Sequence, residues 1–208
     1  MNACLICSQL FLDTNSICSH CLKSFQPLPC HKNAVGIYPY MDRVRLLILK
    51  AKARNDYLCL LKITALFLEA KLTQKRASWA NFVMPAPSSL WSRINGKSDI
   101  SWTLAEACSA HYPCKFKAPP FSLRFRFKKQ AKKERRDAIN LLRWQSVSIP
   151  ERPNLLIIDD VTTSGQTLNR MAQILSPSYN LQFLSFSSAR NSHCPESTEI
   201  TTFSQTRI

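Results

Sequence analysis

Glycine is scarce in this chain, three residues in 208, at positions 36, 96 and 165. That excludes a glycine-rich low-complexity segment. Long apolar runs are missing as well. The most apolar stretch, Leu58 to Ala70, is interrupted by Lys62 and is shorter than the ~20 residues a membrane helix needs, so no span is expected. The N-terminus, MNACLICSQLFLDTNS, has no basic segment leading into an apolar one, which argues against a secretory signal and for a cytoplasmic location. Acidic residues are few, 13 against 28 Lys and Arg, for a formal charge of +15. Such an excess favours polyanionic partners or anionic substrates.

What is present reads as a globular protein. Hydrophobic residues make up 45% and charged residues 20%, far from the composition of a disordered chain. The length allows one main core and a small satellite. Of the nine cysteines, four form two tight pairs, Cys4-x-x-Cys7 and Cys18-x-x-Cys21. In a reducing compartment such pairs point to a metal rather than to disulfides, and four thiolates in a tetrahedron suit Zn²⁺. His20 and His31 are alternative ligands, although His20 lies inside a knuckle. Cys30, Cys59, Cys108, Cys114 and Cys194 have no regular spacing, and a free cysteine commonly behaves as a small core residue.

Residues 1–30 therefore read as a four-cysteine zinc module, with Pro27 and Pro29 marking its exit. Residues 31–190 read as the main domain and 191–208 as a polar tail. A strand is expected over Ala34–Tyr38, helices over Met41–Ala53 and Tyr57–Lys75, a strand over Phe82–Pro85 and a helix over Ser101–His111. A loop follows over 112–131, then a helix over Lys132–Trp144. Leu155–Ile158 is four apolar residues in succession, which suits a central strand covered on both faces. A helix over Thr167–Leu175 and a strand over Leu181–Phe186 complete a βαβ unit, so the fold class is α/β with a mainly parallel sheet flanked by helices.

The segment richest in chemistry is LLIIDDVTTSGQTL, residues 155–168. Open α/β sheets bind ligands outside the carboxyl ends of their strands, and Asp159 and Asp160 are expected where strand gives way to loop. Two adjacent carboxylates repel, so packing both inside a core is costly unless each finds a donor or a cation. The hydroxyls of Thr162, Thr163, Ser164 and Thr167, with successive backbone N–H groups opening a helix, form an anion cradle. Gly165 allows positive φ where that loop is tightest.

A second concentration lies between Lys115 and Arg152, where twelve basic residues face three acidic ones, a net of +9. Phe121, Phe125 and Phe127 alternate there with Arg124, Arg126 and Lys128, and Lys129, Lys132 and Lys133 follow. Rings plus cations can stack bases and track phosphates. The same pattern also fits a core edge with a basic rim.

The run of four apolar residues, two aspartates and T-T-S-G-Q-T resembles the phosphoribosyl pyrophosphate (PRPP) motif of type I phosphoribosyltransferases. That resemblance implies that Asp159 and Asp160 bind the ribose hydroxyls, and that Thr163, Ser164, Gly165, Gln166 and Thr167 hold the 5′-phosphate. The order of elements is similar to that of the ComF family of competence-associated phosphoribosyltransferase-like proteins. It runs from the cysteine pairs through basic residues near Lys50 and Lys52, VMPAP at 83–87 and a basic stretch before Arg135 to the acidic pair. Membership would imply a type I phosphoribosyltransferase-like fold and a role in natural transformation, handling single-stranded DNA with a competence helicase as partner. In an active member, PRPP and Mg²⁺ would meet a nitrogenous base. Where the family usually shows Arg-Gly-Phe-Asn-Gln after the proline segment, this chain reads Gly96-Lys97-Ser98-Asp99-Ile100, so binding is expected to outlast turnover. The alternatives are an active phosphoribosyltransferase of nucleotide metabolism and a non-enzymatic sensor of PRPP or a nucleotide.

Overall fold

The computed structural model describes residues 2–11, 16–28, 35–54, 56–87, 99–119 and 152–189. In chain order they form β1 (Asn2–Ala3), β2 (Leu10–Phe11), α1 (Ser19–Leu22), β3 (Gly36–Pro39), α2 (Asp42–Arg54), α3 (Tyr57–Glu69) and α4 (Lys71–Trp79). Then come β4 (Phe82–Pro85), α5 (Ile100–His111), β5 (Lys115–Phe116), β6 (Asn154–Thr162), α6 (Gln166–Leu175) and β7 (Asn180–Ser188). The strand β1 pairs antiparallel with β2, while the other five build one sheet in the order β3-β7-β6-β4-β5. Every pair in that sheet is parallel. Among the described residues no helix is long and apolar enough to cross a membrane.

Burial on both faces explains why β6 carries an unbroken apolar run. Side chains alternate across a strand, so Leu156 and Ile158 join one buried cluster and Leu155 and Ile157 the other. The second cluster receives Leu168, Met171 and Leu175 of α6, a helical i, i+3, i+7 stripe. Each such side chain contributes about 1.5–3 kcal/mol on burial. The first and larger cluster packs α2, α3 and α5 on the opposite face, through Leu47, Ile48, Ile63, Phe67 and Leu104. It also takes in Ile6, Ile17 and Phe25, so the cysteine-bearing segment shares its core with the sheet. Phe25 meets Tyr38 edge to face at 5.6 Å, and the Leu28 N–H donates to the Ile37 carbonyl at 2.7 Å.

Three expectations change. The helix read over 57–75 is two helices, because Ala70 is extended at φ −68°, ψ 127°. Its buried positions hid the break: Ile63, Leu66, Thr73 and Ala77 continue at helical spacing, and no proline or glycine marks the corner. The turn directs α4 toward the sheet, where Arg76 donates to the Phe183 carbonyl of β7. The strand read over 155–158 runs to Thr162, because β7 offers pairing partners as far as Ser188. Both aspartates therefore lie within the strand. Within the expected loop 112–131, Lys115–Phe116 pairs with β4 as an edge strand. The helix expected over 132–144 and the tail after 190 lie outside the described residues.

Gly36 opens β3 close against β7. A Cβ there would stand 2.5 Å from the Ser188 Cβ and 2.9 Å from its backbone N, too close for any side chain without moving β7. Gly36→Ala is expected to destabilise the protein by about 1–3 kcal/mol, the usual cost of overpacking. Urea unfolding read by circular dichroism checks this, with a shift in midpoint and no change in slope as the expected outcome.

Candidate functional site

The strand β6 carries Asp159 and Asp160 to the carboxyl end of the sheet, between β4 and β7. Local hydrogen bonds fix the pair. The Asp160 N–H is shared between Asp159 Oδ1 at 2.9 Å and the Ser101 hydroxyl at 3.1 Å. Ser101 donates to Asp159 Oδ1 at 3.3 Å, and the Val161 N–H donates to Asp160 Oδ1 at 2.7 Å. Ser101 sits in the first turn of α5, whose N-terminus is capped by Asp99 through the Trp102 N–H at 3.2 Å. Lys52 of α2 closes the arrangement from another side, in a salt bridge with Asp160 Oδ2.

Burial pushes the Asp159 carboxyl up to about 7, the neighbouring Asp160 charge adds to the shift, and the Asp160 N–H and Ser101 hydroxyl pull the other way. A group near neutrality at the end of a buried strand can exchange its proton for the hydrogen bond of a ligand.

The loop after the strand is short. Gly165 precedes α6 in the left-handed conformation, φ 73°, as its sequence position predicts. Thr163, Ser164, Gln166 and Thr167 are exposed around it, whereas Thr162, expected among the cradle's hydroxyls, is buried as the last residue of β6; the Ser164 hydroxyl accepts the Gln166 N–H at 3.4 Å. The first N–H groups of a ten-residue helix thus open beside exposed hydroxyls, next to two carboxylates. That combination suits a ligand with an anionic group at one end and vicinal hydroxyls at the other.

The four cysteines converge. Their sulfurs all lie within 4.8 Å of one another, and Cys7 Sγ stands 3.8 Å from Cys18 Sγ. Thiolates ~2.3 Å from a shared zinc ion would be separated by about 3.8 Å, so the cluster fits a tetrahedral ion. Backbone geometry agrees. Ser8, just after the first pair, has φ 62°, and its N–H donates to the Cys4 carbonyl at 2.9 Å, closing the knuckle. The Cys18 N–H points at Cys4 Sγ at 3.4 Å. Burial alone would push the Cys4 thiol up, but the backbone N–H groups of Cys7, Cys18 and Ile6 outweigh it and bring it down to about 6. Cys21 moves upward, through burial and its cysteine neighbours. A set in which one thiol ionises readily beside three others is chemically suited to exchange protons for a metal ion.

His20 is exposed and outside the cluster, and His31 falls outside the described residues. Cys59, Cys108 and Cys114 are free and buried. Arg124, Arg126, Lys128, Lys129, Lys132 and Lys133, with the aromatic residues among them, also fall outside the described residues. Sequence reasoning missed Ser101 altogether, since nothing but its place after a capped helix start distinguishes it. Lys52 was noticed as a basic residue of a helix, without its partner. Comparison with protein families and with curated proteins finds no match for this chain.

The protein is expected to hold one zinc per chain, ligated by Cys4, Cys7, Cys18 and Cys21, when purified without chelator. Cys18→Ser should lower the zinc content and loosen residues 1–30, because a structural metal supplies folding energy. Elemental analysis of purified protein checks the stoichiometry, and a metal-free result rules it out.

Proposed function

We propose that this chain binds a 5-phosphoribosyl group at Asp159, Asp160 and the loop 163–167, as a ComF-like protein with a type I phosphoribosyltransferase-like fold. The observation that carries the reading is the acidic pair at the carboxyl end of a central parallel strand, followed by a glycine-cornered loop that opens α6. In this reading Asp159 and Asp160 accept the 2′- and 3′-hydroxyls. Thr163, Ser164, Gly165, Gln166 and Thr167 receive the phosphate through hydroxyl and N–H donors. Ser101 keeps both carboxylates in register, and Lys52 holds the charge of Asp160 until a ligand arrives. PRPP or a nucleotide is the ligand class, with Mg²⁺ accompanying PRPP.

Binding is favoured over turnover by the departure at 96–100, where the family's arginine and glutamine are replaced. Pyrophosphate release from PRPP and Mg²⁺ across a panel of bases separates this reading from an active phosphoribosyltransferase. We assign the handling of single-stranded DNA, with a competence helicase as partner, to the +9 segment on its composition and its family resemblance. Binding through phosphates releases counterions, so log affinity for single strands should fall with log salt by about 0.7 per phosphate contacted. Gln in place of Lys128, Lys129, Lys132 and Lys133 should flatten that slope in a filter-binding or anisotropy assay. An unchanged slope places the contacts elsewhere.

Asp160→Asn is expected to weaken ribose 5-phosphate binding by about 1.5–3 kcal/mol, the worth of a hydrogen bond to a charged group. The pH dependence follows from Asp159. Ligand hydroxyls donate to the carboxylate and not to the acid, so binding favours the deprotonated form and releases a proton. Affinity should therefore rise between pH 5.5 and pH 7.5, through the value of about 7, and flatten above it. Asp159→Asn should remove the part of that rise owed to Asp159, leaving the part owed to the second ionisation of the ligand's own phosphate at about pH 6. Calorimetry in two buffers of different ionisation enthalpy measures both affinity and proton release, and no binding by the intact protein refutes the proposal.

A further inference from the structure

Helix α2 touches both sites. From one side Lys50 sends its ammonium group into the first knuckle, donating to the Leu5 carbonyl at 2.7 Å and the Ile6 carbonyl at 3.0 Å. Seven residues earlier, two helical turns back on the same side, Arg43 donates to the His20 carbonyl of the second knuckle at 3.3 Å. Two residues after Lys50, about 200° round the helix axis, Lys52 reaches Asp160. The peptide carbonyls that Lys50 holds belong to the two residues between Cys4 and Cys7, so their positions depend on how those two sulfurs are held. Four thiolates around a divalent cation leave a net negative charge, and a cation on the adjoining carbonyls offsets it.

We propose that Lys50 is a positioning residue that links the metal state of the cysteine cluster to the acidic pair. The loaded knuckle fixes the Leu5 and Ile6 carbonyls, Lys50 pins α2 to them, and α2 in turn presents Lys52 to Asp160. Losing the metal frees the knuckle, lets the last turns of α2 shift, and withdraws Lys52 from the carboxylate it neutralises. The sugar-phosphate part of this inference rests on the function proposed above. The coupling itself does not, since it concerns order at β6 with no ligand present.

The test uses the full chain, zinc-loaded and after chelation, and follows amide hydrogen exchange across Asp159–Thr162 by mass spectrometry alongside ribose 5-phosphate affinity by calorimetry. Chelation is expected to speed exchange at 159–162 while α6 keeps its protection, and to weaken ribose 5-phosphate by at least about fivefold. Lys50→Met should lower zinc affinity about tenfold, in line with other partners of metal-site backbones. With zinc saturating it should still show the faster exchange, and Lys50→Arg should restore both properties. Unchanged exchange at 159–162 after chelation overturns the coupling, and so does an equal loss of protection over α6, which would mean general unfolding. Lys50→Met with native zinc affinity and native exchange overturns the role of Lys50. If that variant does not fold, the comparison of loaded and metal-free wild type decides alone. Absence of ribose 5-phosphate binding in every form refutes the proposed function, while the exchange data still decide the coupling.

Discussion

Two carboxylates on successive residues, at the end of a strand buried on both faces, set the constraint that the site is built around. Placing one of them there is expensive, and placing a second beside it adds repulsion at close range. The chain meets this cost in two different ways. Asp160 is paired with Lys52, while burial raises the Asp159 carboxyl to about 7 against the pull of its two hydrogen bonds. Ser101 serves both by giving its proton to one aspartate and taking the N–H of the other. Elements distant in sequence are therefore held at the carboxyl end of β6 by polar bonds as well as by packing. A site with no use for two carboxylates would gain stability from replacing one of them with an apolar residue, which is the physical argument behind the ligand proposed for them.

Much of the fold was legible because its signals were local. Four apolar residues before the acidic pair announced a strand covered on both sides, and the stripe of Leu168, Met171 and Leu175 announced the helix that covers one of them. Gly165 foretold a left-handed corner, since so few glycines are available to be spent elsewhere. The failures share a cause. The break at Ala70 and the extension of β6 to Thr162 are set by tertiary partners, the underside of the sheet for one and the length of β7 for the other. Neither leaves a mark on the residues concerned. Ala70 is a good helix former, and Asp159 and Asp160 are poor strand formers, so local preference pointed the wrong way in both places.

The site divides along the same line. Its acidic pair, its loop and the four cysteines are contiguous or tightly spaced in sequence, which is why they stood out there, the cysteines by their spacing and the acidic loop by its resemblance to a phosphoribosyl-binding motif. Ser101 and Lys52 come from helices 58 and 108 residues away from the aspartates they touch. A serine in a first turn and a lysine on a helix are ordinary in isolation. Only the packing of α2 and α5 against the same face of the sheet turns them into partners of a charged pair.

That packing also joins two features that a reading by segments keeps apart. The spacing of the cysteines and the prolines after them marks residues 1–30 as a separate module, yet Ile6, Ile17 and Phe25 are buried in the same cluster as Leu47 and Ile48 of α2. A small segment whose apolar residues are already spent on a neighbour cannot rearrange alone. If its backbone moves when the cysteines lose an ion, the surface it shares with α2 must move with it, and α2 carries the only lysine seen, among the described residues, in a salt bridge to the acidic pair. Continuity of the core is thus the route by which, in the coupling proposed above, the state of the cysteine cluster would bear on the carboxylate of Asp160.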